Sequence, residues 1–227
     1  MLKKAILTLL ALLLIAAAAP SLGAIGGNQT AELEPDIVGQ INQTDVVVTP
    51  TEESLWLQMR TLWEENVFWT REAIFAIAQG SEDKGPVLDR LSRNSADMAE
   101  TLSLYLGNET ARKYGDMVGE DLKLAAEYID ASASGNATAQ EDASSRWRQN
   151  ADEIAAFENT TIPSLLLENR RAMWNERLNL TMNETSELLN KDYNASIDTF
   201  DLIEEHAQIM ADSLTDGVIQ QSPKMFH

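Results

Sequence analysis

The pattern that most constrains this chain is a helical one. From Thr49 onward, apolar residues recur three and four positions apart through six successive segments. No segment after Val48 shows the strict apolar–polar alternation that is typical of a half-buried strand. The sequence therefore predicts an all-α fold, an up-and-down antiparallel bundle of about six amphipathic helices. A four-helix bundle with breaks in its helices is the alternative.

Residues that start and stop helices divide these segments. Thr49 is a candidate N-cap, with Pro50 at the first helical position and Glu52 in place to complete a capping box. Glycines and prolines then separate one apolar stripe from the next. The predicted helices span 49–80, 85–106, 108–134, 137–158, 163–190 and 192–219, within a helical domain of residues 49–227.

Residues 1–24 have the order of a cleavable signal peptide: Lys3 and Lys4, an apolar run from Ala5 to Ala19, and small residues up to Ala24. A retained membrane anchor is the alternative, but the run is shorter than the roughly 20 residues that a membrane span needs. We expect cleavage near Ala24 and no membrane span afterwards, which predicts a secreted or extracytoplasmic cell-surface protein. Residues 25–48 are interrupted by glycine and proline and are poor in apolar residues, so they are predicted to form a flexible linker.

The chain is strongly acidic. It has 36 Asp and Glu against 17 Lys and Arg, a formal net charge of −19. Such a surface repels nucleic acid and anionic lipid headgroups, and it favours cations, basic partners or plain solubility in a salty medium. The chain contains no cysteine, which excludes disulfides and a cysteine-linked lipid anchor.

Eight asparagines stand in Asn-x-Ser/Thr sequons, the acceptor sequence of N-glycosylation in exported proteins. Asparagine, serine and threonine are also common at helix ends, which raises the number expected by chance. We predict that several are glycosylated, which implies a eukaryotic or archaeal source; the acidic composition favours an archaeal one. The candidates are Asn28, Asn42, Asn108, Asn136, Asn159, Asn179, Asn183 and Asn194.

The sequence contains no complete catalytic or metal-binding pattern. A di-metal helical bundle needs Glu-x-x-His pairs, and neither of the two histidines, His206 and His227, has glutamate three positions before it. Zinc sites built on cysteine and histidine are equally disfavoured. We therefore predict no catalytic residue, no metal site and no cofactor from motifs. Clustered carboxylates remain an alternative source of chemistry, because the chain has so many of them.

Two polar residues occupy positions where the helical stripes call for apolar ones. Asn66 lies between Leu62 and Trp69 in the first helix, and Asn150 lies between Trp147 and Ile154 in the fourth. Each either pairs with a neighbouring helix and fixes its register, or lines a small ligand pocket.

The second helix adds a polar row beside its apolar stripe: Arg90, Asn94, Asp97 and Thr101. Such a row is usually a solvated flank, although Arg90 and Asp97 could bridge to each other or to Arg71 and Glu72. The candidate binding residues are Asn66, Arg71, Asn94, Asp97 and Asn150.

The segment from Leu62 to Arg71, LWEENVFWTR, resembles a motif of a family of uncharacterised helical proteins from bacteria and methanogenic archaea. The segment from Met210 to Pro223, MADSLTDGVIQQSP, is similar to a second motif of that family. The resemblance implies a helical bundle over most of the mature chain, with no established activity. It also implies that relatives carry histidine where this chain has Asn66, Tyr128 and Arg177. This departure favours a structural or binding role here.

These observations predict an exported, N-glycosylated helical bundle with a binding or cell-envelope-associated role. Its partner would be a small molecule or a component of the envelope. The alternative is a carboxylate- or metal-dependent extracytoplasmic hydrolase or transferase, which requires interior carboxylates that converge from different helices. A third possibility is a surface protein that buffers cations through its net charge.

Overall fold

The computed structural model describes residues 51–226. In this range the chain forms six α-helices and no strand. The predicted signal peptide, the predicted linker, the Thr49 and Pro50 start and the sequons at Asn28 and Asn42 lie outside these residues. The helices are α1 (Glu52–Gln79), α2 (Lys84–Leu106), α3 (Asn108–Ala133), α4 (Ala137–Thr161), α5 (Leu167–Leu189) and α6 (Tyr193–Gln221), followed by a 3-10 turn at Pro223–Met225.

The helices pack as one bundle, which confirms the predicted fold. Each helix packs against the next in the chain, and α6 returns to pack against α1. The pairing of α1 with α6 is antiparallel: Arg60 binds Asp212, and one turn along, Gln208 donates a hydrogen bond to Glu64 at 2.9 Å. The odd-numbered helices α1, α3 and α5 also contact one another. The described helices are therefore six, and the four-helix alternative does not apply.

Two helix starts differ by more than one residue from their predicted positions. The N-cap of α1 is Thr51, whose hydroxyl accepts a hydrogen bond from the Ser54 amide while Ser54 Oγ accepts one from the Thr51 amide, both at 3.0 Å. Ser54 thus fills the role that was predicted for Glu52. The fifth helix begins at Leu167 and not at Pro163, because the intervening turn buries Ile162 and Leu165 in the core.

Helices α2 and α3 approach each other closely. A Cβ atom added at Gly115 would lie 2.7 Å from Ala99 Cβ and 2.9 Å from the carbonyl oxygen of Ser95. Gly119, one turn along α3, would place its Cβ 3.2 Å from Ser95 Oγ. The two backbones can approach this closely only because α3 has no side chain at these positions.

We expect Gly115→Ala to lower the free energy of unfolding by about 1–3 kcal/mol, the usual cost of forcing extra volume into a packed contact. The better helix propensity of alanine offsets part of this loss, by up to about 1 kcal/mol. Gly85→Ala is the matched control, because nothing lies within 4 Å of a Cβ added there. Urea denaturation of both variants measures the difference, and equal stabilities would contradict the close packing.

Within residues 51–226, no helix is long and apolar enough to cross a membrane. The core beneath the helices is largely aliphatic, with three fully buried tryptophans, Trp63, Trp147 and Trp174. It also contains charged side chains, and these define the site described next.

Candidate functional site

Helix α5 carries a row of charged residues into the core. Arg170, Arg177 and Glu184 are seven residues apart, a spacing that places them on one face of a helix. Their side chains are nevertheless buried, with relative exposures of 1, 5 and 1 per cent. A buried charge requires a partner, and each of these residues finds one on a different helix. The result is three polar layers stacked along the bundle.

The middle layer is centred on Arg177. Its Nη1 donates to Asp121 Oδ2 on α3 at 2.8 Å, and its Nη2 donates to Asn66 Oδ1 on α1 at 2.7 Å. The Asn66 amide then donates to Asn94 Oδ1 on α2 at 2.9 Å, and the Asn94 amide donates to the Leu62 carbonyl at 2.8 Å. One chain of hydrogen bonds thus connects four helices.

A tryptophan from α4 adds a fifth helix to the middle layer. Trp147 Nε1 donates to Asp121 Oδ1 at 2.6 Å, so that both carboxylate oxygens of Asp121 accept a hydrogen bond. Burial raises the pKa of Asp121, while Arg177 and the bond from Trp147 act in the opposite direction. Among the described residues, Arg177 and Trp147 are the two side-chain donors to this carboxylate. The stability of its charge in the core therefore depends on both.

The second layer contains Arg170 and Glu158. Arg170 Nε and Nη2 donate to the two oxygens of Glu158 at 2.6 and 2.9 Å, a bidentate pair. Trp174 Nε1 donates to Glu158 as well, at 3.0 Å. Tyr114 is buried in the same region, and burial together with the Glu158 charge raises its pKa well above the ordinary value.

Aromatic rings connect the two layers. The guanidinium of Arg177 lies 5.9 Å from the ring centroid of Trp63 and 5.8 Å from that of Trp174. The two indoles are themselves 5.7 Å apart. Because Trp174 also donates to Glu158, it contacts both ion pairs, and a change in one layer alters the packing of the other.

The third layer is the most exposed. Arg71 on α1 forms an ion pair with Glu184 and lies 4.3 Å from the ring centroid of Phe200 on α6. Glu187, one turn after Glu184, accepts a hydrogen bond from Thr199 at 3.1 Å. Burial raises the pKa of Glu184 to about 7; Arg71 lowers it and Glu187 raises it further. This carboxyl group can therefore exchange a proton near neutral pH.

Threonine hydroxyls connect the middle and third layers along α5. Thr181 Oγ1 donates to the Arg177 carbonyl at 2.9 Å, and Thr185 Oγ1 donates to the Thr181 carbonyl at 2.8 Å. Both threonines are buried, as is Ser196 on the facing part of α6.

The structure brings two of the predicted binding residues into direct contact. Asn66 and Asn94 are bonded to each other in the middle layer, whereas Arg71 belongs to the third layer. Asn150 donates separately to the Met117 carbonyl at 3.3 Å. Asp97 lies beside a surface pocket with Gln58, Glu100 and Tyr105. The predicted residues therefore do not surround one common cavity.

The polar row on α2 was not correctly predicted as a solvated flank. Asn94 and Thr101 are buried. Arg90 pairs with Glu65 on α1 at 2.7 Å, and not with Asp97 or Glu72. The rotation of α2 that brings Asn94 to Asn66 is the physical reason, because it turns this row towards α1.

The charged core residues of α5 and their partners were missed by sequence reasoning. A signal existed: Arg170, Arg177 and Glu184 alternate with Trp174, Thr181 and Leu188 at spacings of four and three, a heptad pattern whose first position is charged. Charged residues at such positions are normally assigned to solvent. In the described part of the chain, no three Asp, Glu, His or Cys residues come together as a metal site.

Comparison with known proteins adds no relative: no protein-family model, no curated protein and no solved structure gives a significant match to this chain.

Proposed function

We propose that this chain is an exported, N-glycosylated helical bundle that binds a partner at the cell envelope or outside the cell. The export part of the proposal is supported by the order of residues 1–24, and the glycan part by the eight sequons. The binding part is supported by the surface of α6, as follows.

Helix α6 carries six carboxylates and no lysine or arginine along its 29 residues. Four of the large apolar side chains that are most exposed in the described chain also lie on it: Tyr193, Ile197, Leu202 and Ile209. Single exposed apolar side chains are common on protein surfaces, but several of them beside carboxylates on one helix suit a binding surface. This combination is the observation that carries the proposal.

Four of the six described sequon asparagines are exposed: Asn108, Asn136, Asn183 and Asn194. Asn136 is the N-cap of α4, and its Oδ1 accepts a hydrogen bond from the Ala139 amide at 3.1 Å. A glycan at these four positions extends into solvent and leaves the core unchanged. Such positions suit an archaeal or eukaryotic secreted protein.

Expression of the full chain in an N-glycosylating archaeal or eukaryotic host tests this proposal. We expect a secreted protein that begins at Ile25 and has a mass above that of its polypeptide. Asn136→Gln and Asn183→Gln should each remove the mass of one glycan. Asn169→Gln is the matched control, because Asn169 is exposed but belongs to no sequon. An unprocessed, unmodified chain inside the cell would contradict the proposal.

We also propose that the chain is a divergent member of the helical family that its motifs resemble. Two of the three positions at which those relatives carry histidine, Asn66 and Arg177, are hydrogen-bonded to each other here at 2.7 Å. Because the two side chains are in direct contact, a substitution at one position favours a compensating substitution at the other.

A second candidate is an extracytoplasmic hydrolase that uses Glu184 as its acid or base. It is favoured by the pKa of about 7 for this buried carboxyl group beside Arg71. Interior carboxylates do come from three helices, but Asp121, Glu158 and Glu184 are each paired with an arginine in a separate layer. A screen of chromogenic esters and glycosides tests this candidate; activity that Glu184→Gln leaves unchanged would exclude it.

A further inference from the structure

The outer face of α6 has a regular stripe in which two apolar residues are interspersed among four acidic ones. The stripe consists of residues spaced four, three, four, three and four apart: Asp198, Leu202, Glu205, Ile209, Asp212 and Asp216. Leu202 and Ile209 expose 52 and 47 per cent of their surface. A spacing of this kind is the one by which a helix presents a seam to a second helix.

A groove lies beside the C-terminal half of this stripe. It has a volume of about 400 Å³ and runs between α6 and the turn that joins α4 to α5, with Ile209, Asp212 and Asp216 on one side and Ser164 and Leu165 on the other. Leu166, the next residue of the turn, is 62 per cent exposed. An exposed leucine thus directly follows the groove residue Leu165 in the chain.

Gly217 lines the groove and allows the turn to pack closely against α6. A Cβ atom added at this position would lie 2.9 Å from side-chain atoms of both Ile162 and Leu165. The turn can therefore rest directly on α6 only because residue 217 is glycine. The side of the groove formed by the turn thus depends on this glycine.

The groove has the electrostatics of a site for positive charge. Asp212 and Asp216 are one turn apart on α6, and Asp212 forms a partly exposed ion pair with Arg60 at 2.6 Å. Desolvation raises the pKa of Asp216, and the charge of Asp212 raises it further. An incoming cation would relieve this repulsion.

We propose that the stripe and its groove bind a basic amphipathic helix of another protein, one that alternates lysine or arginine with large apolar residues at the same spacing. Its apolar side chains would pack between Leu202, Ile209 and Leu166, and its cations would face Glu205 and Asp216. This inference rests on the proposed binding function and names its surface and partner class.

The charges of the chain itself argue against two other occupants. Residues 25–50 contain four carboxylates and no basic residue, so this segment lacks the charge to complement the groove. A second copy that presented the same face would bring two stripes of like charge together. We therefore assign the complementary charge to a different chain.

The test measures the binding of two fluorescent synthetic peptides to the secreted protein at 150 mM salt by anisotropy. Both have about 18 residues, enough for about five helical turns. One alternates lysine and leucine at spacings of three and four, and the other has serine in place of every leucine. We expect the leucine peptide to bind at least about tenfold more tightly, the loss that removal of interface anchors typically causes.

Variants locate the site. The double substitution Leu202→Ser with Ile209→Ser, and separately Asp216→Asn, should each weaken binding of the leucine peptide about tenfold. The matched controls are Leu57→Ser with Leu104→Ser, which are equally exposed on α1 and α2, and Asp89→Asn. The controls should bind like the wild type.

The outcomes separate this inference from the proposed function. Equal loss in α6 variants and controls, or equal affinity for both peptides, would mean that net charge alone attracts the peptide, and would overturn the inference. Absence of binding to the wild type would overturn it as well. The export and glycan measurements decide those two parts of the proposed function independently of all three results.

Discussion

Replacing Arg177 by methionine lowers the free energy of unfolding by about 3–5 kcal/mol, the usual cost of removing one partner of a buried ion pair. The substitution keeps the volume of the side chain but removes the donor to Asp121 Oδ2 and the donor to Asn66 Oδ1. Asp121 then retains only the bond from Trp147. Guanidinium denaturation measures the loss.

Two comparisons test whether the loss comes from the unpaired carboxylate of Asp121. Lys123→Met removes the ion pairs with Glu120 at 3.1 Å and Glu127 at 3.8 Å, but Lys123 is exposed, so we expect a loss below about 1 kcal/mol. In the Arg177→Met background, Asp121→Asn should recover part of the stability, because a neutral amide is easier to bury than an unpaired charge. If the two substitutions are instead additive, Arg177 and Asp121 are not energetically coupled.

The wild-type protein becomes less stable as the pH rises from 4.5 to 8, and Glu184 supplies about 2–3 kcal/mol of this change. The pKa of Glu184 is raised in the folded state from 4.5 to about 7, so the folded chain holds this proton more tightly than the unfolded chain does. This stabilisation is fully present below pH 4.5, the pKa of the group in the unfolded chain. It is lost as the pH rises through about 7, the pKa of the group in the folded chain. Burial of the carboxyl group is the main cause.

The Glu184→Gln variant isolates this contribution. Glutamine keeps the shape of the side chain and an acceptor for Arg71, but it cannot titrate. Between pH 4.5 and 8 the free energy of unfolding of the variant should therefore fall by about 2–3 kcal/mol less than that of the wild type. Subtraction is needed because burial also raises the pKa of Asp121, which acts in the same direction. Glu109→Gln, at an exposed position, should leave the profile unchanged. Parallel profiles for wild type and Glu184→Gln would refute the assignment.

The helices were predictable because their signals are local. Gly80 ends α1 in the left-handed conformation, and Asp192 caps α6 through its side chain. Both functions depend on residues within one turn of the helix end. The start of α5 was misjudged because its cause is not local: Ile162 and Leu165 are held in a turn by contact with Gly217 on α6, some 50 residues away.

Only part of the polar core could be predicted, because some of its contacts are also not local. Asn66 interrupts an apolar stripe, so its burial could be predicted from its own helix. Arg177 stands in a heptad pattern, but a charged residue at such a position is normally assigned to solvent. Its burial makes sense only once Asp121 and Asn66 are known to face it from α3 and α1. Long-range charge pairing is invisible to a periodicity argument that treats each helix separately.

If the chain is glycosylated as proposed, the buried hydroxyls of α5 and α6 set the order of sugar transfer and folding. Thr181, Thr185 and Ser196 are the acceptor-site hydroxyl residues of the sequons at Asn179, Asn183 and Asn194, and all three are inside the folded bundle. A transferase that must grip this hydroxyl can reach it only while the C-terminal third of the chain is still unfolded. Under the proposed glycosylation, sugar transfer at these three sites would compete with folding, and the fraction of chains that carry each glycan would report how quickly α5 and α6 pack against the rest of the protein.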